Sequence, residues 1–383
     1  MNAHLRLLFI FFLLVLMGVL IGCDWKGTKI GGARPVNLYV GSTDKNLYAF
    51  EVESGKFLWK YPTGGEIYAQ PLATNDTVYV AATDGALYAI SSDGKLYWKT
   101  QLVPADKAPQ YKGLRTFTTP LLVVGTIFVP SAYQGTIYAV DMFSGKLTNS
   151  YSLGADTQAY HLLTLGNDKK TIFDNAEGIG ISAFEYLGQP KWSKQRYVYG
   201  PLYQFRDGKL AGFAGSQEIF FDLTTGDISG YGTDFHHNVI SIAEERINNA
   251  TYYTDSSGRV TKESGTGSWA VFPYGFDPLK TGSFVVSLNS NADLGLFLAS
   301  QNGHVARLDE KDGHIIWDHQ YPEEFRQLPL VARINQNTSS EFRVIVISKT
   351  GHLYSFDGNG NLLKNDNTSI SGEVYQAPVA EIP

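Results

Sequence analysis

Residues 37–60, NLYVGSTDKNLYAFEVESGKFLWK, recur with small changes at residues 77–99, TVYVAATDGALYAISSDGKLYWK. Each copy reads as a short β-rich run, a polar turn, a Leu-Tyr-Ala run, a second turn with Ser-Gly-Lys or Asp-Gly-Lys, and a run containing Trp. Trp59 and Trp98 stand 39 residues apart. A self-similar period of that length predicts a four-stranded β-propeller blade, a unit that buries its apolar faces only by stacking on its neighbours.

Working outward, further copies appear at 126–147, 171–192, 210–228, 250–269, 296–317 and 343–363, making eight at spacings of about 38 to 50 residues. Copies four to six are the most diverged. The two ends of the series also match. Gly372-EVYQAPVA-Ala380 is similar to Gly65-EIYAQPLA-Ala73, the segment that leads into the second copy. The first copy begins at Asn37 and lacks such a leader. The chain therefore predicts an all-β, eight-bladed β-propeller over 37–383, with the C-terminal strand joining the N-terminal blade and closing the ring. Closure removes the exposed edges of a first and last blade. Pro71 and Pro378 have no backbone N–H to give and belong at strand ends or bulges.

Turn chemistry agrees. Asp84-Gly85, Asp93-Gly94, Ser257-Gly258, Asn302-Gly303, Asp312-Gly313 and Asp357-Gly358 each divide short β-rich runs. Such pairs tolerate the positive φ of tight hairpins. After residue 23 there is no convincing amphipathic helix. The stretch 102–110, with two Pro and the charges Asp106 and Lys107, reads as an insertion before the third copy.

Composition narrows the function classes. Of 383 residues 43% are hydrophobic, 13% aromatic and 18% charged, which excludes a disordered chain. Net charge is −6, from 31 basic and 37 acidic residues, and no basic run is visible, which argues against a nucleic-acid partner. A single Cys excludes an internal disulfide and a CxxC pair.

That Cys stands in a distinctive place. Arg6 is the one positive charge ahead of an unbroken apolar run, 7–21, of signal-peptide length. Leu20-Ile21-Gly22-Cys23 follows and resembles the bacterial lipobox, in which the Cys is acylated and becomes the new N-terminus. Cys23 is thus the expected lipid attachment, 1–22 the signal peptide, and 23–36 a Gly-rich tether of roughly 20 Å reach. The acyl chains would be the membrane contact. The alternative is an uncleaved signal anchor; either exports the rest of the chain. Cleavage removes Arg6 alone among the charges, leaving 30 basic against 37 acidic residues and a net −7. Asp24 resembles an inner-membrane retention signal, and Trp25 suits either the membrane interface or the domain.

The recurring strand, Asp-Gly, Leu-Tyr-Ala, Ser-Gly-Lys and Trp resembles the PQQ-like repeat over 37–380. Trp317-Asp318 with Gly303-His304 partly resembles WD repeats, but Trp59 and Trp98 are followed by Lys, and Gly-Lys-x-x-Trp recurs. With the lipobox and the single eight-bladed ring, the pattern is similar to the BamB family of lipoproteins accessory to the β-barrel assembly machinery. That resemblance implies a monomeric, non-catalytic scaffold facing the periplasm. Its protein partner would be the β-barrel insertase subunit at the outer membrane, and it implies no cofactor. The partner-binding loops cannot be carried over residue by residue, because copies four to six are too diverged. A second reading is an envelope lipoprotein with another protein, peptide or glycan partner, at the inner membrane if Asp24 decides.

A third reading is a quinoprotein dehydrogenase, whose family resembles longer chains, often with a vicinal Cys pair, an acid and Asn cluster for Ca²⁺ and an Asp base. Here Asp84, Asp93, Asp141, Asp222, Asp309 and Asp357 recur with the repeat, as turn-forming residues do. A single site would break the repeat. His236-His237 are adjacent and would point to opposite faces of a strand. His304 and His352 share a Gly-His position, and His314 and His319 flank Trp317, so no metal site is expected. Asn75, Asn249, Asn337 and Asn367 sit in Asn-x-Ser/Thr patterns and read as polar loop residues. Trp59, Trp98, Trp192 and Trp317 are expected to pack between blades.

Overall fold

The computed structural model describes residues 37–74, 76–108, 117–152, 161–176, 179–205, 207–235, 239–245, 250–264, 267–273, 283–287, 294–333, 342–366 and 370–380. Cys23, the lipobox, the tether, His236-His237 and the four Asn of the Asn-x-Ser/Thr patterns lie outside them. Eight antiparallel sheets of four strands follow one another along the chain, forming the propeller ring. Seven are built from consecutive strands: blades 2 to 8 cover 72–101, 121–152, 161–194, 199–234, 239–271, 283–320 and 330–366. Blade 1 uses Asn37–Gly41, Asn46–Glu51 and Phe57–Pro62, and takes its first strand, Val379–Ala380, from the other end of the chain. Leu38 pairs with Ala380 and Tyr39 with Val379, so the closure expected from the repeat is the one observed. Pro71 and Pro378 each stand just ahead of a first strand.

Side-chain alternation builds the core. In blade 2, Tyr79, Ala81, Leu87 and Ala89 pack on Ile127, Val129, Tyr138 and Val140 of blade 3. The intervening Val78, Val80, Tyr88 and Ile90 pack on Tyr39, Leu47 and Ala49 of blade 1. Both faces of a blade are therefore apolar, and the two middle strands are almost wholly buried. An apolar cluster fills every seam, including the last, where Leu38, Val40 and Phe50 meet Ile345, Ile347 and Leu353 of blade 8. The stretch 102–108 joins the seam of blades 2 and 3 through buried Leu102, Val103 and Ala108.

Antiparallel order puts the first-to-second and third-to-fourth turns of each blade at one end of the ring, here the lower end. The second-to-third turns and the loops between blades lie at the upper end. Gly85, Gly94, Gly258, Gly303 and Gly313 hold φ of 79–89°. In Asp357-Gly358 the left-handed residue is instead Gly360, φ 84°, because the turn runs two residues further.

In five blades a Trp of the outer strand docks on the next blade's lower turn. A Cβ on Gly94 would stand 2.9 Å from Trp59, on Gly145 2.5 Å from Trp98, on Gly226 2.4 Å from Trp192, and on Gly360 2.8 Å from Trp317. Trp269 does the same over Gly313. The indole N–H of Trp59 donates to the Ser92 carbonyl at 2.9 Å, and that of Trp192 to Leu223 at 2.8 Å. Blade 3 uses Tyr151 over Gly188, and blade 8 lays the Lys364 stem over Gly55.

Candidate interaction surface

At the upper end three inter-blade loops share one pattern: Glu66-Ile67-Tyr68-Ala69-Gln70-Pro71, Glu324-Phe325-Arg326-Gln327-Leu328-Pro329 and Glu373-Val374-Tyr375-Gln376-Ala377-Pro378. They lead into blades 2, 8 and 1, which are contiguous around the ring. Extended backbone sends alternate residues to opposite sides. Ile67, Phe325 and Val374 are buried plugs in the seams. The residues that follow them, Tyr68, Arg326 and Tyr375, are half-exposed.

Backbone bonds fix these loops. Ile67 N–H donates to Ser42 of blade 1 while Glu66 accepts from Thr83 of blade 2. Phe325 and Glu324 bridge Ser300 and Lys349 in the same way, and Val374 and Glu373 bridge Lys349 and Thr43. Each loop thus staples two neighbouring hairpin tips. The Tyr of the Leu-Tyr-Ala run adds a second tie. Tyr88 Oη accepts the Gly64 N–H at 2.8 Å and donates to Asp84 at 2.6 Å. Tyr48 Oη accepts the Ser371 N–H at 3.2 Å and donates to Asp44. Gly372 is required at its position: its φ is 77°, and a Cβ there would meet the Asp44 nitrogen at 2.7 Å.

On this base Tyr68 and Tyr375 pack with ring centroids 4.9 Å apart and planes tilted by 54°, and the Arg326 guanidinium lies 5.5 Å from the Tyr375 centroid. Arg326 forks onto Glu324 at 2.8 and 3.3 Å. Lys349 Nζ stands 3.6 Å from Glu324 and 3.5 Å from Glu373. Burial, with the neighbouring Glu66 carboxylate, pushes the Tyr68 hydroxyl up to about 12. The Glu373 hydrogen bond and burial raise Tyr375. The Arg326 fork holds Glu324 below its ordinary value, and the Tyr375 bond, with Lys349 nearby, does so for Glu373. The surface is therefore a fixed Arg-Tyr-Tyr ladder bordered by ion pairs.

Sequence reading found the likeness of 65–73 to 372–380 and used it only for ring closure. The third copy, at 324–329, escaped because Arg326 replaces the Tyr. The Asp44…Tyr48 and Asp84…Tyr88 pairs at equal spacing were the legible signal for the ties.

The recurring acids have turn roles. Asp141 accepts from Phe143 and Ser144, Asp222 from Thr224 and Thr225, Asp309 from Lys311, and Asp357 from Asn359 and Asn361, all in the lower third-to-fourth turn. Asp93 shares that turn two residues on, bonded to Ser91. Asp84 differs in place: it caps an upper turn. His304 pairs with Asp318 at 3.0 Å and His352 with Glu323, so their shared sequence position leads to different partners. His319 Nε2–H donates to the Gly360 carbonyl at 2.7 Å, and the ring stacks on Phe356. Asp309, Asp312 and His314 do bring one ligand atom each within 4.8 Å on an open turn. Asp309 and Asp312 already accept backbone N–H groups there, and Asp312 bonds His314 at 2.7 Å.

These blades, their aromatic-on-Gly seams and their borrowed closing strand define the class: an eight-bladed β-propeller. The sequence profile of the family described as Outer membrane protein assembly factor BamB matches residues 24–197. Over that stretch the chain resembles the PQQ-like propellers of this family. No curated protein matches it. Among solved structures, the dihydro-heme d1 dehydrogenase NirN is 13% identical with TM-score 0.64, over 91% of this chain and 77% of its own. Saccharomyces cerevisiae Sqt1 is 12% identical with TM-score 0.64, over 84% and 92%. Apo AztD from Citrobacter koseri is 9% identical with TM-score 0.63, over 90% and 98%. At these identities the likeness is one of fold.

Proposed function

We propose that this chain is a non-catalytic, lipid-anchored envelope scaffold that holds a protein partner, as a BamB-like accessory of β-barrel assembly. The observation that carries the reading is the Arg326–Tyr375–Tyr68 ladder. Tyr and Arg dominate protein-binding hot spots, and this ladder is held in place before any partner arrives, so little ordering is lost on binding. The partner class rests on the BamB profile match, and export with anchoring at Cys23 rests on the lipobox. The turn roles of the recurring acids support the non-catalytic part. Which membrane holds the anchor is read by fractionation.

Affinity capture of the tagged full chain after mild detergent extraction, with mass spectrometry, tests the reading. The expected result is a barrel-insertase subunit in the eluate, lost from the double variant Arg326→Ala/Tyr375→Ala while the melting temperature stays unchanged. Capture unaffected by the double variant, or dye reduction dependent on quinone and Ca²⁺, would overturn it.

A further inference from the structure

The lower end of blades 3 and 4 carries more exposed apolar turn tips than the lower turns of the other blades, where Leu223 of blade 5 is 37% exposed. Val124 is 69% exposed, Phe143 79% and Leu187 65%. Val124 and Gly125 form a two-residue hairpin turn with φ of 45° and 77°. A β-branched residue rarely adopts that conformation. The turn holds Val124 beside Phe143, because the Met142 N–H donates to the Gly125 carbonyl at 3.0 Å. Leu187 belongs to the matching turn of blade 4, and Tyr186 N–H ties that turn to Lys170. At the same position other described blades show Glu53-Ser54, Ser92-Asp93, Thr224-Thr225, Lys311-Asp312 and Asn359. The apolar tips are therefore a local feature of this arc.

Cations surround them. Lys146, Lys169 and Lys170 are exposed on the same turns and have no ion pair among the described residues. Three carboxylates stand near them: Asp141 accepts three bonds from its own turn, Asp168 accepts from Lys170 and Thr171, and Glu185 lies 3.8 Å from Lys191, itself a fourth lysine of this arc. Apolar tips ringed by lysine are the composition that seats a protein on an anionic bilayer surface.

Asn37 pairs with Glu51 at the start of a lower turn, and its side-chain amide donates to Ser92 in the lower turn of blade 2 at 3.3 Å. Asn37, to which the preceding chain is joined, therefore lies at the same end of the ring as Val124, Phe143 and Leu187. The geometry points to the lower face of blades 3 and 4 as a membrane-contact patch for anionic phospholipid. The upper ladder then faces away from the bilayer, open to a partner. The inference rests on the envelope-anchored reading and adds an orientation to it.

The test uses the full chain reconstituted into vesicles of phosphatidylethanolamine and phosphatidylglycerol. Phe143→Cys, Leu187→Cys and, on the upper face, Gln376→Cys each receive an environment-sensitive fluorophore. Labelling of the unchanged chain reports whether Cys23 is acylated, so failure of the anchor is seen separately from failure of the patch. Blue-shifted emission and quenching by nitroxide lipid are expected at 143 and 187 and absent at 376. Replacing Lys146, Lys169 and Lys170 with Glu should lower the membrane-contacting fraction about tenfold. Equal, water-like emission at all three sites overturns the proposal. So does shielding of 143 and 187 that appears only when envelope proteins are added, since the patch would then be a protein contact.

Discussion

Glu218 sits on the third strand of blade 5, 3% exposed, at the seam with blade 6. Its Oε2 accepts the Thr233 N–H at 3.2 Å, while the Thr233 hydroxyl donates to Glu263 of blade 6 at 2.8 Å. Its Oε1 has no partner among the described residues. Burial first, and the Glu263 carboxylate second, push Glu218 from 4.5 to about 7, against the pull of Thr233 and Lys209. The folded form thus holds its proton to a higher pH than the unfolded chain. The stabilisation is complete below pH 4.5 and fades as pH rises to 7. A shift of this size corresponds to about 3 kcal/mol, less where solvent enters the seam. Denaturant unfolding followed by Trp fluorescence should show stability falling between pH 5 and pH 8. In Glu218→Gln that decline should shrink by about 2–3 kcal/mol, because the neutral amide keeps the shape without titrating. Asp174, raised by burial beside His161, titrates in the same direction, so the difference between the two proteins isolates Glu218. An identical slope in the Gln variant would refute the assignment.

Three other outcomes follow from the seams. Trp98→Ala removes an indole packed on Tyr79 and Gly145, and should cost about 2–4 kcal/mol; an unchanged melting temperature would contradict the docking. Gly226→Ala should cost about 2–4 kcal/mol, from its φ of 72° and its contact with Trp192. Gly208→Ala has a similar φ but open space, so about 1–2 kcal/mol is expected; equal losses in thermal melts would show that the clash is relieved. A chain ending at Ser371 loses the Val374 plug and the Leu38 and Tyr39 pairings, and should lose at least about 3 kcal/mol by denaturant titration; full stability would mean the ring does not depend on its borrowed strand.

Residues 37–60 and 77–99 carried the blade, because period-two alternation and turn glycines are local chemistry that repeats wherever the local structure repeats. The likeness of 372–380 to 65–73 carried the closure for the same reason. The tryptophan code was only partly legible: Trp269 stands in a diverged copy, and Tyr151 and Lys364 cover their glycines without being Trp. Shape at the seam, rather than residue name, satisfies that contact. The Asp357 turn misled in a smaller way, since two glycines compete there and hydrogen bonding selects the second.

The order of strands, the number of blades and the pairing of the two chain ends were determined by the sequence alone, since each is a matter of matching one stretch of residues with another. Only the tertiary structure could bring Arg326, Tyr375 and Tyr68 into one ladder, or set Val124 beside Phe143 at the end where Asn37 begins. Those neighbours come from different turns of a closed ring, and their distances depend on how blades stack, which no local period encodes.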